Sequence, residues 1–239
     1  MDLLFTYFSR LLLRQISHYR FDFVPQNNTI ERPTPVLFIC GEGLHVQVWD
    51  KTAKYLCAKG YSGGIMELPT LTPPYDIYKS VDYLQQTILE AKLTPPILVT
   101  HSVSTFIAQK FLESYSASAL VMVDPIPPIH NDFMKKLIDK YSHAPTPAGY
   151  YNSTPSSIFQ ETFPIDFMRY LCKDSTITVS LERAVVPMLV ISSTKEDMMR
   201  EYHQIDESNV IYLPSNERLA TLQSDSFHEI LHTWIEDNT

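Results

Sequence analysis

The sequence predicts a single α/β domain built on a mostly parallel sheet, with helices on both faces and a small lid insertion. Three observations predict it. From residue 35 on, apolar runs of strand length alternate with longer stretches whose apolar residues recur at helical spacing. The short runs are continuously apolar, the mark of strands buried on both faces of a parallel sheet. Residues 125–185, rich in Pro, Tyr and Ser, break the rhythm before the strand-like runs resume. The expected division is an amphipathic segment over residues 1–23 and one domain over 24–239, with a lid at about 125–185.

The elements follow in order. Val36 to Cys40 (VLFIC) is the first expected strand and ends at Gly41. Trp49, Ala53, Leu56 and Cys57 then recur at helical spacing, and Gly60 stands where a helix usually terminates. Gly64 to Leu68 reads as a second strand, closed off by Pro69, Pro73 and Pro74. Ile77, Val81, Leu84, Ile88 and Ala91 line one face of the next helix, which ends before Pro95 and Pro96. Ile97 to Thr100 is a third strand, running directly into a helix that buries Phe106, Ala108, Phe111 and Leu112; Ala119 to Val123 is the fourth. Helical patches are expected near 131–141 and 157–172. Pro187 to Ser192 and Val210 to Leu213 resume the sheet. The last helix is expected to start at Ser226, with Glu229 completing a capping box and Ile230, Leu231, Trp234 and Ile235 facing inward.

Composition excludes several classes. A formal charge of −8, with no run of Lys or Arg, gives no field to hold phosphates, so nucleic acid is not expected as a partner. Cys40, Cys57 and Cys172 are too few and too scattered for a disulfide framework or a thiolate metal site, and fit free thiols in a reducing compartment. No His and acid spacing suggests a metal, and no cofactor is expected. Gly41-x-Gly43 after a strand, with Glu67 ending the next, suggests a dinucleotide site, but Val46 stands where the third glycine is required. In the first twenty residues nothing is read as a strand, and Arg10 and Arg14 interrupt the apolar run a membrane span requires. The excess of Arg over acid fits a mitochondrial presequence. An amphipathic helix, packed on the domain or lying on a membrane surface, fits equally, with a cytoplasmic or peripheral membrane location as the alternative.

The chemistry centres on Ser102. Thr100-His101-Ser102-Val103-Ser104 joins a buried strand directly to a helix, a junction that lifts a hydroxyl to the carboxyl edge of the sheet in front of the helix amides. An ordinary turn with an N-capping serine is the competing reading. The segment ILVTHSVSTFIA resembles the nucleophile elbow of the α/β-hydrolase family, Gly-x-Ser-x-Gly, with Thr100 and Ser104 in place of the two glycines. The resemblance extends over most of residues 34–236. PVLFICGEGLHVQVWDKTAKYLCAKGY is similar to the family's first strand, oxyanion loop and helix; Glu67 matches its acidic strand end; LVMVDPIPP resembles the strand after the elbow helix.

The resemblance implies the α/β-hydrolase fold, Ser102 as nucleophile, and oxyanion donors from the Gly41, Glu42 and Gly43 loop and from Val103. It places the triad acid on Glu196, or on Asp197 if the loop is one residue longer. It also places the general base at Arg218, where the family has histidine, and a guanidinium cannot accept the serine proton. His228, in the first turn of the last helix, is then the candidate base, weighed against a surface histidine; His45 and His130 are more remote candidates, and His101 is expected to point away from the hydroxyl. Two functions follow: a serine hydrolase of carboxylic esters or thioesters, or a pseudoenzyme that keeps the scaffold to bind a ligand or a protein. Tyr141, Tyr150, Tyr151, Phe159, Phe163 and Phe167 in the lid suggest a cavity for a small apolar acyl or aryl ligand, or simply the packing that fastens the lid to the sheet.

Overall fold

The structure is a computed structural model and describes residues 19–23, 32–41, 44–69, 76–93, 95–126, 138–139, 165–173, 179, 185–193, 209–213 and 222–239. Its sheet has strands β1 (Tyr19–Phe23), β2 (Val36–Ile39), β3 (Gly63–Met66), β4 (Ile97–His101), β5 (Ala119–Val123), β6 (Met188–Ser192) and β7 (Val210–Tyr212). They lie in the order β1-β3-β2-β4-β5-β6-β7, parallel throughout except for the antiparallel β1–β3 pair at one edge.

The described helices are α1 (Asp50–Ala58), α2 (Ile77–Ala91), α3 (Val103–Leu112), α4 (Ile165–Lys173) and α5 (Asp225–Asn238). Alternate side chains of β2 to β7 enter two separate cores, as the pleat requires. Leu37, Ile39, Leu98, Leu120 and Met122 pack on one face with α2, α3 and Phe167 and Leu171 of α4. Val36, Phe38, Val99, Val121 and Ile191 pack on the other with Trp49, α1 and α5. Strands buried on both faces have no polar side to alternate, which explains the unbroken apolar runs. Gly63 answers a close approach rather than a turn, since a Cβ there would lie 1.8 Å from the Val36 carbonyl oxygen.

Two expectations are corrected. The sheet starts at Tyr19 and not at residue 35, so the boundary placed after residue 23 cuts off its edge strand; Tyr19, Phe21 and Phe23 alternate with Arg20 and Asp22, the period of a strand with two unlike faces. The last helix starts at Asp225, capped by Ser224, whose hydroxyl accepts from the Phe227 N–H at 3.2 Å. Within the expected lid, α4 and residues 138–139 are helical; the rest of 127–184 lies outside the described residues, apart from 179. No described helix is long and apolar enough to cross a membrane.

Candidate active site

Topology places the site first. From β2 the chain passes through α1 to β3 on one side, then returns through α2 to β4 on the other. Strand order therefore reverses between β2 and β4, and in open α/β sheets the crevice at the carboxyl ends of such a pair is where ligands bind. Gly41 leaves β2 and Ser102 leaves β4 at that point. A Cβ on Gly41 would lie 2.8 Å from the His101 imidazole Nδ1, 3.0 Å from the His101 carbonyl oxygen and 3.3 Å from the Ser102 Cβ. Only glycine lets the loop after β2 cross this close to the elbow.

Ser102 itself is held at φ 56°, ψ −122°, a conformation rare for any residue with a side chain. It is 5% exposed, and its backbone N–H donates to the Val123 carbonyl at 3.1 Å. Although it occupies the N-cap of α3, its hydroxyl makes no capping bond. The ordinary N-capping serine is thereby ruled out, because such a cap is extended and spends its oxygen on the helix amides.

The two residues that replace the elbow glycines have found partners. Thr100 donates its hydroxyl to the Val121 carbonyl at 2.9 Å, bridging β4 to β5. Ser104 accepts from the His101 N–H at 2.9 Å, and its hydroxyl faces the carbonyls of His101 at 2.9 Å and Ile39 at 3.1 Å. Both side chains are fully buried, where an unpaired hydroxyl would be costly.

The Val103 N–H opens α3 and has no intrahelical acceptor, so it and the helix dipole present a positive end to the crevice. On the far side of β2, Glu67 accepts the Val46 N–H at 2.9 Å, and His45 Nε2 lies 3.9 Å from the same carboxylate oxygen. His45 Nδ1 accepts from the Gln47 N–H at 3.4 Å, so one nitrogen faces its own loop and the other the Glu67 carboxylate after β3. Burial, aided by Glu67, pushes the Cys40 thiol well above its ordinary value, which suits a small apolar residue rather than a nucleophile.

A carboxylate that sequence reasoning passed over stands on the neighbouring strand. Asp124 follows β5 at φ 43°, is 5% exposed, and its Oδ1 accepts the Ser193 N–H at 2.7 Å and faces the Ser193 hydroxyl at 2.8 Å, with Oδ2 2.9 Å from that hydroxyl. Ser193 directly follows β6, so the pair clamps the carboxyl ends of two strands. The signal available in the sequence was an acid ending an apolar run, the same signal used for Glu67.

The histidines divide. His101 is fully buried and neither ring nitrogen has a hydrogen-bond partner among the described residues. His228 is not a surface residue: it is 1% exposed in the first turn of α5, stacked on Tyr55 of α1 with ring centroids 5.3 Å apart, and its Nε2 has no partner among the described residues. Burial lowers its pKa from the ordinary value. No hydrogen bond joins the Ser102 hydroxyl to any histidine among the described residues. Glu42, Gly43, His130, Glu196, Asp197 and Arg218 lie outside the described residues, so of the expected set the structure brings together Ser102, Val103 and Gly41. No group of acids, histidines and cysteines among the described residues has the arrangement of a metal site.

Solved structures share this architecture. The chain superposes on a carboxylesterase of the thaumarchaeon Nitrososphaera gargenis with a TM-score of 0.61 at 14% identity, covering 91% of this chain and 98% of that one. A thermophilic esterase from Thermogutta terrifontis gives 0.63 at 15% identity, covering 92% and 93%. A lipase-esterase related protein from Clostridium acetobutylicum gives 0.61 at 15% identity, covering 93% and 100%. No family model and no curated protein matches the chain. The protein has the α/β-hydrolase fold.

Proposed function

We propose that the protein is a serine hydrolase of carboxylic esters or thioesters with Ser102 as its nucleophile. One observation carries this reading: a buried serine is held in a strained conformation at the topological switch point with its hydroxyl withheld from the helix it would otherwise cap. Strain of this kind persists only where the surroundings impose it, and it is found at working sites. In the reaction Ser102 Oγ bonds to the substrate carbonyl carbon and passes its proton to a base. The oxyanion is held by the Val103 N–H and the loop that starts at Gly41, and collapse expels the alcohol or thiol. Water then releases the acid from the acyl-enzyme. His228 is the base proposed, with Asp197 as its acid, and the esterase and lipase neighbours support the same chemistry.

A second reading, a scaffold without catalysis, is favoured by the histidine geometry, since His228 is engaged with Tyr55 and not with the hydroxyl. A fluorophosphonate probe separates the two. The hydrolase reading expects stoichiometric labelling of Ser102, abolished by Ser102→Ala and slowed on the order of 10⁴-fold by His228→Ala but not by Arg218→Ala. Absence of labelling on well-folded protein would establish the scaffold instead.

A further inference from the structure

Below the elbow runs a buried chain of polar contacts that catalysis as described does not use. The Thr105 hydroxyl donates to the carbonyl oxygen of Ser102, which also accepts the Thr105 N–H at 3.0 Å. The same hydroxyl accepts the Ile126 N–H at 3.0 Å. Gln109, one turn on, donates to the Thr105 carbonyl at 3.1 Å and reaches the Ile126 carbonyl at 3.5 Å. Thr105 and Gln109 are fully buried and Ile126 is 5% exposed, so water cannot substitute for these partners.

The Ser102 carbonyl and the Val103 N–H belong to one peptide group, planar and trans, so they point in opposite directions and turn together. Whatever holds the carbonyl therefore aims the amide. We infer that Thr105 is a positioning residue: by gripping the Ser102 carbonyl from inside α3 it directs the Val103 N–H into the crevice, and through Ile126 it ties that aim to the segment that leaves β5. The Ser102 conformation makes such a grip necessary, because a strained peptide relaxes unless both ends are restrained. The contact is also two-sided. Movement of the 124–126 segment would reach the oxyanion donor through one hydroxyl.

This rests on Ser102 as nucleophile, and the test reads the two ideas separately. Uniformly ¹⁵N-labelled full-length wild type, Thr105→Val and Thr105→Ser are compared by the Val103 amide resonance and its hydrogen-exchange rate, and by the rate of fluorophosphonate labelling. Thr105→Ala, which also lacks the hydroxyl, takes the place of the valine variant if that does not fold. Loss of the hydroxyl is expected to displace the Val103 resonance and slow labelling by about tenfold or more, short of the 10²- to 10³-fold cost of losing an oxyanion donor outright. Thr105→Ser should stay within about threefold of wild type, because it keeps both bonds. An unchanged Val103 resonance in the hydroxyl-less variant, or labelling at the wild-type rate, overturns the inference. If the wild type is not labelled, the hydrolase reading fails while the amide measurement still decides the aim of Val103.

Discussion

Three described residues other than glycine have positive φ: Lys92, which ends α2 in the left-handed conformation, Asp124 and Ser102. A left-handed helix end is common, and Asp visits positive φ more readily than most residues, here with its carboxylate held by Ser193. Ser102 has neither excuse, its ψ of −122° lying where essentially only glycine is at ease. Ser102→Gly is therefore expected to be more stable than Ser102→Ala by about 1–2 kcal/mol, since alanine keeps the strain and glycine relieves it. Chemical denaturation of the two variants measures this, and alanine as the more stable of the pair would remove strain from the case for function. At this scale Ser102 was readable because strand, serine and helix follow one another without a spacer. The staple made by Ser104 was not, since its two carbonyl partners come from His101 and from Ile39, sixty-five positions away.

Between elements, the contact of α1 with α5 has a titratable seam. His228 stacks on Tyr55, and His232 meets Tyr55 and Tyr61 edge-on at 6.2 and 6.1 Å. Burial lowers the pKa of both rings; Lys51 lowers His228 further while the Leu222 carbonyl and Asp225 oppose it, and at His232 Glu236 opposes burial while Lys59 and Arg32 add to it. A histidine whose folded pKa is lowered takes up its proton first in the unfolded chain. The stability it leaves intact above the ordinary value, about 6.5, is lost as pH falls from there to the folded pKa. His228→Phe keeps the stacked ring and removes the titratable group, whose Nε2 has no partner among the described residues, so it should flatten the fall in melting temperature between pH 7.5 and about 5. An identical pH profile in the variant would show that His228 takes no part in it. Helix existence was legible in the apolar spacing, but the start of α5 was misplaced because Ser224 and Ser226 both precede the same apolar face. Which hydroxyl accepts is decided by backbone angles, with Ser224 extended at φ −78°, ψ 145°.

Across the whole molecule the parallel sheet with helices on both faces followed from strict alternation of strand and helix, while the strand order came only from the structure. The edge strand β1 escaped because it alternates aromatic with charged residues, unlike the unbroken apolar runs beside it, and because its partner residues in β3 lie forty or more positions away. Phe23 is 6% exposed and its ring packs on Phe38 with centroids 5.9 Å apart. Deleting residues 1–23 should lower stability relative to deleting 1–18 by about 3 kcal/mol or more, the cost of losing one buried phenyl ring. It should also promote association through the bared β3 edge. Denaturant midpoints and light scattering of the two truncations check this; equal midpoints would mean that β1 adds nothing to the fold. The general base was not legible in the same way, because no apolar periodicity in the sequence places Arg218 or its neighbours, and they lie outside the described residues.

The hydroxyl staples at Thr100 and Ser104 have a consequence for anyone who would repair the motif. Rewriting the elbow as Gly-His-Ser-Val-Gly would make the sequence look more like an enzyme while deleting the bridges from β4 to β5 and from the elbow to Ile39, each contributing about 1 kcal/mol. The familiar spelling is one solution to crowding at this corner, reached by removing atoms. This chain has reached another by giving the added atoms something to hold, and from here the path back to glycine runs uphill.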